Sequence, residues 1–239
     1  MAEDTVPAEK QRMPDLGGNE ALQTFLMNGV ASIHRNPEDK MNPSTYMNLY
    51  TAVSELINRK KYEDGVLLSE SIYKRVSKFL AEHSQSVAEK LESQDDSALL
   101  GAYFVEWDQW TLSAIKVDRI LNLLNRHYIL RLTSEGKKGI YTIRLLHFVQ
   151  WRSHVWENVY SRVIDCAQRA VEKNDENANR INDMIQSLEK GRADSHAISK
   201  DDDRTRIHKS FEAPFVLDVE KLEKEVDEIN ASLGNASSN

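Results

Sequence analysis

The stretch that decides the fold is FVEWDQWTLSAIKVDRILNLLNRHYILRLTSEGKKGIYTIRLLHFVQWRSHVW, residues 104–156. It contains no proline, and its only glycines are Gly136 and Gly139. Val117, Ile120, Leu121, Leu124, Tyr128 and Leu132 recur at helical spacing and make one compact apolar stripe. SEGKKG (134–139) is a glycine-bounded turn, and a long helix follows from Ile140 to about Lys173. The spacing predicts two helices before that turn, at 98–112 and 113–132.

Outward from this segment the pattern stays helical. Residues 44–213 lack proline altogether, and nine scattered glycines are too few for the many turns of an all-β chain. Helices are predicted at 19–34, from Pro43 to about Lys60, at 67–91, at 177–189, and at 207–233 with an interruption at Pro214. Asn42 and Pro43 suit a helix start. Residues 1–18 hold two prolines and a Gly-Gly pair and read as a disordered tail. The polar 191–205 segment, with its run of three aspartates, reads as a mobile linker, and GNASSN as a frayed end.

Composition excludes several functions. With 31 Lys+Arg against 38 Asp+Glu the net charge is -7, which argues against non-specific nucleic-acid binding; a helical nucleic-acid-binding module is the minor alternative. The single cysteine, Cys166, allows neither a disulfide within the chain nor a thiolate metal cluster, and fits a reducing compartment. No secretory or membrane-spanning pattern is present, so cytoplasm or nucleus is the expected location. Gly136-Lys137 lacks the rest of a phosphate-binding loop. His147 and His154 lie seven apart without further ligands at helical spacing, and read as core or surface histidines. No metal, cofactor or catalytic constellation is expected. The two Asn-Ala-Ser triplets, at Asn230 and Asn235, read as chance.

The second helix carries surplus apolar surface. At 100° per residue its non-polar arc spans about 220°, where a surface helix needs about 100°. Leu49, Ala52, Val53 and Leu56 form one half-arc, suited to the core. Tyr46, Met47, Tyr50, Ser54 and Ile57 form the other, either covered by neighbouring helices or offered to a partner. The predicted fifth helix adds Leu123 outside its own stripe, among Lys116, Arg119, Arg126 and His127. A basic rim around an apolar residue suits an acidic protein partner.

These residues resemble the N-terminal region of the cullin family. The motif elements are Trp110, Leu-Asn-Arg-His-Tyr (124–128), Glu-Gly-Lys-Lys-Gly-Ile-Tyr (135–141), Leu146 and Trp151-Arg152. TYMNLYTAV (45–53) resembles the family's Tyr-Met-x-Leu-Tyr segment, and HKSFEAPFVLDVEKL (208–222) its second-repeat segment. The matches fall in family order and cover roughly residues 22–225.

The resemblance implies an all-α fold, a five-helix cullin repeat plus long connecting helix over 19–173, then an incomplete second repeat over 174–239. It implies a non-catalytic scaffold whose second and fifth helices bind an adaptor. That adaptor is of the Skp type found in SCF ubiquitin ligases, or of the BTB type, and through it comes an F-box receptor. The contacts carried over are Tyr46, Met47, Tyr50, Ser54, Ile57, Arg119, Leu123, Arg126 and His127. Ser54 departs from a frequent family aromatic and Leu123 from a frequent tyrosine. The chain stops before the C-terminal cullin homology domain, so no RING-box protein is expected to bind. Two roles follow: a truncated competitor of full cullins, or a fragment of a full cullin acting as a ligase scaffold.

Overall fold

The computed structural model describes residues 18–59, 62–63, 66–191 and 201–236. Residues 1–17 of the expected 1–18 tail, most of the linker (192–200) and the last three residues lie outside the described residues.

Among the described residues eight helices follow in order: α1 (Asn19–Arg35), α2 (Pro43–Asn58), α3 (Leu68–Glu92), α4 (Asp96–Ile120), α5 (122–134), α6 (143–173), α7 (Ala178–Gly191) and α8 (Asp203–Ala236). Between α2 and α3, Tyr62–Glu63 and Val66–Leu67 form a two-residue antiparallel pair. Helix α5 joins α-helical Asn122–Leu124, a π-helical turn at Asn125–Ile129 and α-helical Leu130–Ser134. Helix α6 likewise runs through Ile143–Gln150, a π-helical Trp151–Trp156 and Glu157–Lys173. The fold is all-α apart from the short strand pair, as expected.

Three boundaries correct the sequence reading. Helix α4 passes through residues 112–113 and ends at Ile120. Ser113 is buried inside it rather than starting a new helix, because nothing at that position breaks the backbone. The break falls at Leu121, whose N–H bonds the Val117 carbonyl at 2.9 Å while its own φ/ψ leave the helical region. Helix α8 continues through Pro214 without interruption. It also begins earlier than predicted: Asp202 accepts from the Thr205 N–H at 3.0 Å and from its hydroxyl at 2.8 Å, capping the first turn. Residues 203–205, placed in the linker by the sequence, therefore form the first turn of α8, with Asp202 as its cap.

Local chemistry sets the other ends. The Asn42 side chain accepts from the Ser44 N–H at 2.9 Å, with Pro43 in the first turn. Gly136 and Gly139, at φ of 77° and 73°, make the turn between α5 and α6. Asn174, at φ 52°, ends α6 in the left-handed region.

One continuous core runs from Leu22 in α1 to Phe215 in α8. Its centre is an aromatic spine on α4, α6 and α8. Trp151 lies 5.6 Å from Trp110 and 5.7 Å from Tyr103, and Trp156 stacks on Phe211 at 5.9 Å. Trp151, Phe211 and Phe215 are fully buried. The spine fastens α8 to the first five helices through α6.

Candidate functional site

Helix α2 divides as its apolar arc predicts. Leu49, Ala52, Val53 and Leu56 are wholly buried. On the adjoining arc, Tyr46, Tyr50, Ser54 and Ile57 are half-buried, and Met47 is 56% exposed. Tyr46 and Ile57 pack on the edge of the core. The Tyr46 and Tyr50 rings stack with centroids 6.3 Å apart. Ser54 accepts a hydrogen bond from Asn58 Nδ2 at 3.2 Å.

Close packing holds this helix in place. Gly29 of α1 faces Leu49: a methyl group there would overlap the leucine, coming within 2.9 Å of Cδ1 and closer still to Cδ2. The absence of a side chain at Gly29 lets α1 and α2 approach closely. On its other side α2 packs against Asn122–Leu124, the first turn of α5. The core stripe Val117, Ile120, Leu121, Leu124, Tyr128 and Leu132 is buried throughout.

The basic group splits between two helices. Lys116 and Arg119 stand on the last turns of α4, whereas Leu123, Arg126 and His127 stand on α5. Arg119, Arg126 and His127 are exposed. Leu123 is half-buried and packs on the core, so it is the edge of the core more than an isolated apolar residue. Lys116 is engaged: its ammonium donates to the carbonyls of Pro37 at 2.5 Å and Asp39 at 2.7 Å, fastening the α1–α2 loop. Leu130, 51% exposed, continues the α5 face beyond the π turn.

Sequence reasoning missed the groups that position α5. Asn125, buried in the π turn, donates to Asp118 Oδ1 at 2.8 Å and accepts from the Ile143 N–H at 2.9 Å. Asp118 also accepts from the Arg144 N–H at 3.2 Å. Two side chains from α4 and α5 thus satisfy the free N–H groups that open α6. The seven-residue spacing of Asp118 and Asn125 gave no local sign of this.

The histidines are a second case. His147 is fully buried and meets His34 of α1, 113 residues away, with His83 of α3 beside them. His147 Nδ1 bonds the Ile143 carbonyl at 2.7 Å, so it carries the proton. Burial, before any effect of neighbouring imidazoles, lowers the pKa of all three. Among the described residues no group of three or more His, Cys, Asp or Glu could hold a metal ion. His154 is half-exposed. Cys166 is buried, its thiol pKa raised chiefly by burial, and its Sγ–H donates to the Asp96 carbonyl at 3.3 Å. Among the described residues no helix is long and apolar enough to cross a membrane.

Comparison with known proteins places these features in a family. Residues 23–231 match the family model described as "Cullin: Cullin alpha solenoid domain". The chain is 27% identical over 221 residues to Cullin-1 of Caenorhabditis elegans, a match covering 81% of this chain and 28% of that protein. It is 31% identical over 96 residues to Cullin-1 of Dictyostelium discoideum, covering 40% of this chain and 12% of the relative. It is 20% identical over 169 residues to cell division control protein 53 of Saccharomyces cerevisiae, covering 62% and 20%. The matched regions are thus less than a third of each of these relatives.

Proposed function

The chain belongs to the cullin family, and on that premise we propose that it is a non-catalytic docking module that binds a Skp-type adaptor and, through it, an F-box receptor. The observation that carries this reading is the partly exposed row on α2. Tyr46 and Tyr50, both half-buried, flank the buried face of α2 and lead round to exposed Met47, and the helix packs directly on the turn that carries Leu123. These are the two helices through which the family resemblance implies adaptor docking. Aromatic and Met side chains are the types enriched at interface centres. Ser54 and Ile57 extend the row, and Arg119, Arg126 and His127 give it a basic rim that steers an acidic partner.

The role proposed for these 239 residues acting by themselves is competition with longer cullins for the adaptor. Ligation needs the conjugating enzyme held near the substrate. By the resemblance, the segment that holds the RING-box protein lies in the C-terminal cullin homology domain, outside these residues. The resemblance also carries a second reading, a fragment of a full cullin acting as a ubiquitin-ligase scaffold, favoured by the match covering only 28% and 20% of two longer relatives; both readings share the adaptor-binding face. Cytoplasm or nucleus is the compartment proposed for either.

Calorimetric titration of a purified Skp-type adaptor into the chain tests the shared claim. Saturable one-to-one binding supports it, and no heat at micromolar concentrations of both proteins contradicts it. Reconstitution with ubiquitin, activating and conjugating enzymes, RING-box protein and adaptor separates the roles: a competitor lowers the chains made by a full cullin and makes none itself.

A further inference from the structure

Helix α8 changes character after Pro214. Six of its large apolar residues, Phe215, Val219, Leu222, Val226, Ile229 and Leu233, fall in alternating steps of four and three, with Val216 and Leu217 outside the series. That is a coiled-coil seam, with Val219, Val226 and Leu233 at the a positions and Phe215, Leu222 and Ile229 at d. Rising 1.5 Å per residue, it runs about 27 Å along one side of the helix.

The protein fills only part of this seam. Phe215 is in the core, and Val219 and Val226 are buried. The 135–141 turn lies against the middle of it, held by three contacts. The Tyr141 hydroxyl donates to Glu223 at 2.8 Å, Lys138 pairs with Asp227 at 2.5 Å, and Asn230 Nδ2 donates to the Gly136 carbonyl at 3.0 Å. A cleft of about 270 Å³ remains between turn and helix, with Ile140 and Tyr141 on one wall and Leu222 and Val226 on the other. Leu222 and Ile229 stay half-exposed.

Charge identifies the occupant. The e and g positions beside a seam set partner choice. Here they hold Val216, Asp218, Glu223, Glu225, Asn230 and Ser232, so every charge among them is negative, while the lysines of this stretch, Lys221 and Lys224, sit at c and f on the far side. Asp218 and Glu225 are exposed and make no ion pair among the described residues. In a parallel pair of two copies, Asp218 would face Glu223; in an antiparallel pair, Asp218 would face Glu225. Both arrangements repel. Residues 1–17 are net acidic, and 192–200 (RADSHAISK) contain one large apolar residue, so neither of these stretches supplies a complement.

We propose that the α8 seam beyond Pro214 is a docking surface for one basic amphipathic helix of another polypeptide. Its apolar side chains enter the cleft beside Leu222, and its Lys or Arg residues face Asp218 and Glu225. This surface is separate from the α2–α5 face and does not depend on adaptor binding there.

The probe is a helical peptide of about three heptads, with Leu at a and d and Lys at e and g. Its control carries Glu at e and g. Fluorescence anisotropy with the full chain should show the Lys peptide binding at least about tenfold tighter than the Glu peptide. Asp218→Lys with Glu225→Lys should invert that preference, and Lys221→Glu on the far side should leave it unchanged. Leu222→Asp should abolish binding, with helicity checked by circular dichroism. The two charge reversals lie at exposed positions, so they test the proposal even where Leu222→Asp unfolds the helix. Equal binding of both peptides, absence of binding, or a preference that ignores the 218/225 reversal overturns the proposal. So does sedimentation showing a dimer that Leu222→Asp dissolves, which would assign the seam to a second copy.

Discussion

His34 of α1 and His147 of α6 meet with their Nε2 atoms 3.2 Å apart and their rings parallel within 6°. His147 spends its Nδ1 proton on the Ile143 carbonyl, so its Nε2 is the acceptor and His34 Nε2–H is the donor. The pair can take one proton and keep this bond, since an imidazolium still donates. A second proton sets two donors against each other.

That geometry predicts how stability varies with pH. Burial, then the neighbouring His147 and His83, lowers His34 to about 2; burial, with His83, lowers His147 to about 4. Burial also lowers His83, against the opposing pull of Glu106. These imidazoles bind protons in the unfolded chain before they do in the folded one. Their contribution is fully present above about pH 6.5 and is lost as pH falls from there toward 4 and below. Each linked proton costs about 1.4 kcal/mol per pH unit in that window. Urea unfolding at pH 7, 6, 5 and 4.5 should show the midpoint falling steadily. His34→Gln should flatten that fall, and an unchanged slope would contradict the pairing.

The approach of α1 to α2 gives the second prediction. Alanine is the better helix former by about 1 kcal/mol. Gly29→Ala should nevertheless destabilise the protein, by about 1–3 kcal/mol, because the wholly buried Leu49 must shift within the core to admit the methyl group. Adding Leu49→Ala should cost less in the Gly29→Ala background than in the wild type. Chemical denaturation of the four proteins of this cycle measures the coupling, and strict additivity would contradict the overlap.

Asn125 gives the third. Asn125→Ala leaves the Ile143 N–H without its acceptor in a buried setting, a loss of about 1–3 kcal/mol. Asn125→Asp keeps an acceptor but sets a carboxylate against Asp118. It should be less damaging at pH 4 than at pH 7, relative to Asn125→Ala at the same pH. Thermal melts of both variants provide the check.

Much of this architecture is legible in the residues, and the exceptions have physical causes. The α2 arc separates correctly into buried Leu49, Ala52, Val53 and Leu56 and a partly exposed remainder, because helical periodicity is a local property. The core stripe from Val117 to Leu132 is right residue by residue, although the helix boundary falls within it at Leu121 and not ahead of it at 113. An apolar stripe continues across a break that only backbone dihedrals reveal. The engagement of Lys116 with Pro37 and Asp39 could not be read locally, since its partners lie more than 75 residues away. The same holds for His34 with His147, and for the Asp118–Asn125 clamp on α6, which depends on the π turn placing Asn125 inward. Pro214 was read as an interruption, but α8 passes through it, with Phe211 and Phe215 locked in the aromatic spine on either side.

The most direct test of the central claim combines adaptor affinity with stability for Met47→Asp/Tyr50→Ala. Both side chains stand off the core, unlike the buried half of α2. Central interface anchors cost about 2 kcal/mol or more each when removed. Calorimetry should therefore show adaptor binding weakened on the order of a hundredfold or more, with the melting temperature nearly unchanged. A double variant that binds a Skp-type adaptor at full strength would contradict the account.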